Sequence, residues 1–203
     1  GYNQERGLMH ADSGQACFIK SYDYGCTWDN ESIRIVWPYN DYQGNWDCSF
    51  SQNNDGTLLM HTRVCSFIKP SALNDNTPQS LGNYNSLDNY DLIPDEQQRL
   101  KRQTGYAFFK SIDYGETWEG PIPVNTSPIN DYGLGDCSVG GSGAGHIIEM
   151  EDRSLLMPLE GTLTRDTNAQ GGELGRCFLL KSNDGGNNWE YWSTVAFDDS
   201  RIK

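Results

Sequence analysis

A chain of 203 residues with 36 % hydrophobic content is long enough to bury a sizeable core. Its 22 glycines, 8 prolines, 6 tryptophans and 11 tyrosines suit a turn-rich all-β protein better than a helical one. The balance of 15 basic against 28 acidic residues, a formal net charge of −13, argues against nucleic acid and anionic membrane surfaces as partners.

No apolar run approaches the roughly 18 residues of a membrane-crossing helix. The N-terminal GYNQERGLMH has neither the charged nor the apolar region of a signal peptide, so the compartment stays open.

In chain order, residues 15–38 predict a hairpin: strand QACFIK, a polar turn SYDYGCTW at 21–28, and strand SIRIVW. YNDYQGNW at 39–46 reads as an aromatic connection. DCSFSQ (47–52), the turn NNDG and TLLMHTRV (57–64) then read as a second hairpin. Residues 66–103, dense in Asn, Asp, Ser, Pro and Gln, are too long for an ordinary connection and read as an inserted loop. GYAFFK, SIDYGETW at 111–118 and WEGPIPV follow. VGGSGAG leads to HIIEM (146–150), the turn EDR, SLLMPLEG (154–161), a loop over 162–174, and GRCFLLK. The chain continues through SNDGGNNW at 182–189 into WEYWSTVAF.

The turn Ser-x-Asp-x-Gly-x-Thr-Trp thus occurs three times, with Asn188 replacing threonine in the last copy. A fixed polar turn after an apolar strand, recurring at long intervals, marks a repeat architecture. Asp23, Asp113 and Asp184 suit hydrogen bonds to turn N–H groups, and Gly25, Gly115 and Gly186 suit a positive φ. Trp28, Trp118 and Trp189 open the return strand with a large packing surface. The ordinary role of such turns is scaffolding. A second segment repeats as well, since Asp55-Gly56-Thr57-Leu58-Leu59-Met60 aligns with Asp152-Arg153-Ser154-Leu155-Leu156-Met157.

Six cysteines, Cys17, Cys26, Cys48, Cys65, Cys137 and Cys177, include no CxxC pair, so no metal or cofactor is expected. Cys17 and Cys177 stand on corresponding strands, where a small buried hydrophobe is the expected role.

The three turns resemble the Asp-box, or BNR repeat, of the sialidase (neuraminidase) superfamily. That resemblance implies a six-bladed β-propeller with four antiparallel strands per blade. The chain would supply an incomplete set: a partial blade at 1–38, a blade at 39–125 carrying the 66–103 insertion, and a blade at 126–203. An open stack would leave an unpaired edge, so a part of a longer protein is expected, the alternative being completion by self-association.

The resemblance further implies exo-hydrolysis of a terminal acidic sugar from a glycan, with a site on the face opposite the Asp-box turns. The chain alone is expected to be inactive, because such a site draws on most blades. The alternative is a non-catalytic propeller that binds glycans or proteins.

WDCSFSQNNDGTLLMHTR resembles a family segment in which a glutamate and an arginine fall at the positions of Asp47 and Arg63. GSGAGHIIEMEDRSLLMPLEG resembles a second family segment, in reversed order along the chain. Asp47 and Glu160 are therefore the candidate catalytic carboxyls. Arg63 would hold the sugar's carboxylate bidentately, and His146, Arg165 and Trp46 would contribute further substrate contacts. The aromatic approach at Tyr39, Tyr42 and Trp46 suits stacking on a sugar face or packing between blades.

Overall fold

The structure is a computed structural model and describes residues 2–3, 8–9, 15–38, 43–68, 100–125, 137–138, 145–167 and 173–197. It is all-β with antiparallel pairing throughout. A short hairpin joins β1 (Tyr2–Asn3) and β2 (Leu8–Met9). Sheet I pairs β3 (Ala16–Phe18) with β4 (Arg34–Trp37). Sheet II has four strands in sequential order: β5 (Gln43–Gln52), β6 (Leu58–Ile68), β7 (Leu100–Ser111) and β8 (Glu119–Val124). Sheet III orders β10 (Ile148–Glu149), β11 (Leu155–Thr167), β12 (Glu173–Ser182) and β13 (Glu190–Phe197), while β9 (Cys137–Ser138) pairs with β11.

The strands outrun their expected limits. β6 continues to Ile68 and β7 starts at Leu100, so both ends of the expected 66–103 loop are paired; residues 69–99 lie outside the described residues. Likewise β5 begins at Gln43, inside the expected connection, and β11 reaches Thr167. Val64, Phe67 and Ile68 continue the β-prone composition of β6 into the polar segment, which is the local cause.

The central ladders of sheets II and III repeat each other in register. Leu58 lies opposite Ser111 and Arg63 opposite Tyr106; the matching pairs are Leu155 with Ser182 and Glu160 with Cys177. Alternation sends one row of each sheet to each neighbour. Met60, Val64, Ala107 and Phe109 pack on Ala16 and Trp37 of sheet I. The other row, Leu59, Tyr106, Phe108 and Val124, packs on Leu155, Met157, Phe178, Leu180 and Trp189 of sheet III.

This alternation corrects the expectation for the two cysteines. Both Cys17 and Cys177 are exposed. Cys17 precedes Ser21 by four residues and Cys177 precedes Ser182 by five, so they stand in opposite rows, each on the side of its sheet away from sheet II.

The three turns share one hydrogen-bond scheme. In the second, Ser111 Oγ donates to Asp113 Oδ1 at 2.8 Å and accepts from Gly115 N at 2.8 Å. Thr117 donates to Asp113 through its N–H at 2.9 Å and its hydroxyl at 2.5 Å. In the third, the Asn188 amide replaces the threonine hydroxyl, donating to Asp184 Oδ2 at 2.6 Å. The chain enters the left-handed region twice in succession: Tyr24 and Gly25, Tyr114 and Gly115, Gly185 and Gly186. The glycines were legible; the tyrosines at φ 59° and 58° were not, because only the turn's network holds them there.

Candidate functional site

The most unusual backbone within a strand is at Asp47, whose φ is 50°. The ladder between β5 and β6 shifts here: Trp46 faces Arg63 and Ser49 faces His61, so Asp47 and Cys48 together oppose Thr62. This is a β-bulge, a device that re-aims a side chain. Position 47 follows Arg63's partner by one, so an unbroken ladder would send its side chain out by the opposite face. The bulge instead brings Asp47 Oδ2 to 3.3 Å from Arg63 Nε. Aspartate tolerates the left-handed region better than most residues, which suits it to this place.

The pair is largely withdrawn from water, with side-chain exposures of 17 % for Asp47 and 13 % for Arg63. Salt therefore screens it less than a surface pair. Arg63 stands opposite the fully buried Tyr106, in the row directed at sheet III together with the buried His61. Cys48 Sγ lies 3.4 Å from Thr62 Oγ1, and burial pushes its thiol pKa up, which makes it a poor nucleophile.

His146 is drawn to sheet II: its Nδ1 lies 2.7 Å from the carbonyl of Phe50 and 3.5 Å from Ser49 Oγ. Because a carbonyl oxygen can only accept, this hydrogen bond requires a proton on Nδ1. Ser49 lies on β5, whereas His146 precedes β10 by two residues.

The remaining candidates are placed by their backbones. Glu160 sits on β11 at the register step that Arg63 occupies on β6, opposite Cys177. Arg165 lies within β11, past the register shift that follows Thr162, and not in the loop expected over 162–174. Trp46 is a strand residue of β5, paired with Arg63, and not part of a connection; Tyr39 and Tyr42 lie outside the described residues.

The structure thus unites Asp47, Arg63 and the backbone of Trp46, and sets Glu160 at the same step one sheet further on. Tyr106, Ser49 and His61 were missed. Strand register counted from the turn serines would have found Tyr106 opposite Arg63.

The carboxylates of the repeated turns are a separate matter. The hydroxyl and N–H of Thr27, then Ser21, hold Asp23 at a pKa of about 2. Thr117 and Ser111 do the same for Asp113. Their lone pairs serve the turn, which leaves them unsuited to proton transfer near neutrality. Among the described residues no three His, Cys, Asp or Glu side chains gather as a metal site. Nor is any described helix long and apolar enough to cross a membrane.

No family model and no curated protein matches the chain. Among solved structures it is similar to a protein of unknown function from Dyadobacter fermentans, at 22 % identity and a TM-score of 0.64, covering 95 % of this chain and 47 % of that one. It is also similar to the Hadza microbial sialidase Hz136, at 17 % identity and a TM-score of 0.50, covering 90 % of this chain and 32 % of that one. A point mutant of the NanB sialidase from Streptococcus pneumoniae aligns at 13 % identity and a TM-score of 0.50, with coverages of 91 % and 40 %. The fold is therefore sialidase-like, and the chain spans about half or less of the length of these proteins.

Proposed function

We propose that the chain is part of a sialidase-like β-propeller, divided into blades at 1–38, 39–125 and 126–203, that acts on the terminal acidic sugar of a glycan. The observation that carries this reading is the Asp47–Arg63 pair, held by a left-handed bulge. A backbone kept in a sparsely populated region is a common mark of a functional site. A guanidinium is a planar fork of donors whose shape matches a carboxylate bidentately.

In this reading Arg63 binds the sugar carboxylate, Asp47 fixes the guanidinium, and Trp46 contributes a substrate contact. Glu160, one blade further at the same register step, is the acid–base carboxyl. His146 and Arg165 supply further polar contacts.

Saturation-transfer NMR with free N-acetylneuraminate and its methyl ester tests the binding step. The acid should bind the wild-type chain and the ester should not, and Arg63→Ala should lose the acid. Equal saturation of acid and ester, or an unchanged signal from Arg63→Ala that retains its fold, refutes the assignment of Arg63. Hydrolysis is read separately, with a fluorogenic sialoside.

A second reading, a propeller that binds the glycan without cleaving it, is favoured by one feature. Asp47 stands where the family has a glutamate, and its carboxylate is taken up by Arg63. Binding of the acid without release of the fluorophore, in a protein carrying all its blades, selects this reading.

A further inference from the structure

Thr62 is fully buried, in the row of β6 that faces sheet I, between Met60 and Val64. Those two neighbours pack with Ala16, Trp37 and Phe109, and Ala107 stands opposite Thr62 on β7. Valine has the same branched shape as threonine and would suit that surface without a polar atom. A buried hydroxyl costs stability there unless hydrogen bonds compensate it. Sheet III has the buried, apolar Leu159 at the same register step. Packing alone therefore does not account for a threonine at this place.

The hydrogen bonds of the hydroxyl lead to the bulge. Thr62 Oγ1 donates to the carbonyl oxygen of Arg63 at 3.2 Å and accepts from Cys48 Sγ at 3.4 Å. Cys48 is the second residue of the bulge, directly after Asp47. One hydroxyl thus ties the strand that carries the carboxylate to the strand that carries the guanidinium, at the step where two residues of β5 oppose one of β6. Burial keeps the Cys48 thiol protonated at neutral pH, so it stays a donor.

Between these two strands the irregularity belongs to β5. On its other side β6 pairs with β7 without interruption from Leu58 to Val64, and Arg63 keeps a regular place opposite Tyr106. What has to be held is Asp47, whose φ of 50° is unfavourable for a residue with a Cβ.

We propose that Thr62 is a positioning residue: its hydroxyl sets the bulge so that Asp47 meets Arg63, and thereby sets the guanidinium for an acidic ligand. The ligand half of this inference rests on the role proposed for Arg63; the first half does not. A filler of the core and a positioning group predict opposite orders among the variants. As a filler, Thr62→Val should match wild type and Thr62→Ser, which loses a buried methyl, should be the damaged one. As a positioning group, Thr62→Ser should match wild type at Arg63 and Thr62→Val should not.

The Arg63 Nε–H signal in a proton–nitrogen correlation spectrum, assigned by its disappearance in Arg63→Lys, tests this. In wild type it should be displaced from the position of a free arginine side chain, and Asp47→Asn should return it there. Thr62→Val should move it most of the way to the Asp47→Asn position, while Thr62→Ser leaves it at the wild-type position. Circular dichroism confirms that each variant is folded, and Thr62→Ala carries the same test should Thr62→Val fail to fold. Titration with N-acetylneuraminate should show affinity weakened about three- to tenfold in Thr62→Val, the effect of about one hydrogen bond, and kept in Thr62→Ser. An Arg63 signal at the free position in wild type, or unmoved in Thr62→Val, overturns the proposal. So does a Thr62→Ser signal that moves as far as that of Thr62→Val. A moved signal with unchanged affinity overturns the ligand half. A wild-type chain that does not bind the acid refutes the role of Arg63, and the Nε–H signal still decides whether Thr62 positions the pair.

Discussion

Adding one methyl group at Gly186 tests how the sheets are joined. The residue has φ 93°, and a Cβ there would lie 2.2 and 2.5 Å from Phe108 Cε1 and Cζ. Its neighbour Gly185 is also left-handed, at φ 69°, but a Cβ there meets nothing within 4 Å. Gly185→Ala therefore incurs the backbone term alone, about 1–2 kcal/mol. Gly186→Ala incurs that term and the overpacking of a buried aromatic, about 1–3 kcal/mol more. At about 2–4 °C per kcal/mol for a chain of this size, the two variants should melt several degrees apart.

Urea unfolding followed by tryptophan fluorescence reads the difference, since Trp189 is buried against Phe108. A double-mutant cycle with Phe108→Leu sharpens it. The smaller side chain should recover part of the loss in the Gly186→Ala background, whereas the two changes would add if the residues did not touch. Equal midpoint shifts for Gly185→Ala and Gly186→Ala would show that the junction does not depend on this glycine.

Three further outcomes follow from the same geometry. The Asp113 carboxyl is held at about 2 against an ordinary 3.8, so its stabilising contribution is complete above pH 3.8 and vanishes as pH falls toward 2. Acid unfolding should steepen in that window, and Asp113→Asn should be less stable at neutral pH with a flatter acid limb. At the bulge, Asp47→Ala should lower the melting temperature through loss of a largely buried ion partner, about 1–3 kcal/mol. Asp47→Gly should lose about 1 kcal/mol less, because glycine accepts φ 50° without strain. Timed iodoacetamide labelling read by peptide mass spectrometry should modify Cys17, Cys26 and Cys177 well before Cys48.

The turns were the most legible part of the chain because their chemistry is local. Ser111, Asp113, Gly115 and Thr117 satisfy one another within seven residues, so spacing alone specifies the network. The repeat was legible for the same reason. Asp47 and Arg63 were legible as singular residues but assigned separate tasks, catalysis and substrate binding. Their pairing depends on a bulge that shifts the ladder by one residue, and no local composition announces it. The cysteines failed on the same count: an offset of one position reverses the face of a strand residue. The extent of the long insertion was misjudged because polar residues in the β6–β7 extension pair through their backbones, which composition does not report.

Position along the strands separates the structural device from the candidate chemistry. Leu58 lies opposite Ser111 at the turn end of sheet II, and Arg63 is five residues further along β6. At a rise of about 3.3 Å per residue that is roughly 17 Å, well beyond a Debye length at physiological salt. The turn carboxylates therefore act on the stability of the junctions and have little electrostatic reach to Arg63. Changes at Gly186 or Asp113 should move unfolding midpoints while leaving acid-sugar binding by the folded fraction intact. On the proposed reading, changes at Arg63 should abolish acid-sugar binding by the folded fraction as well as lowering the midpoint through loss of Asp47's ion partner. If changes at Gly186 or Asp113 instead weakened sugar binding by the folded fraction, the bulge and the turns would be one coupled unit, and Asp47 would serve the fold before it served a substrate.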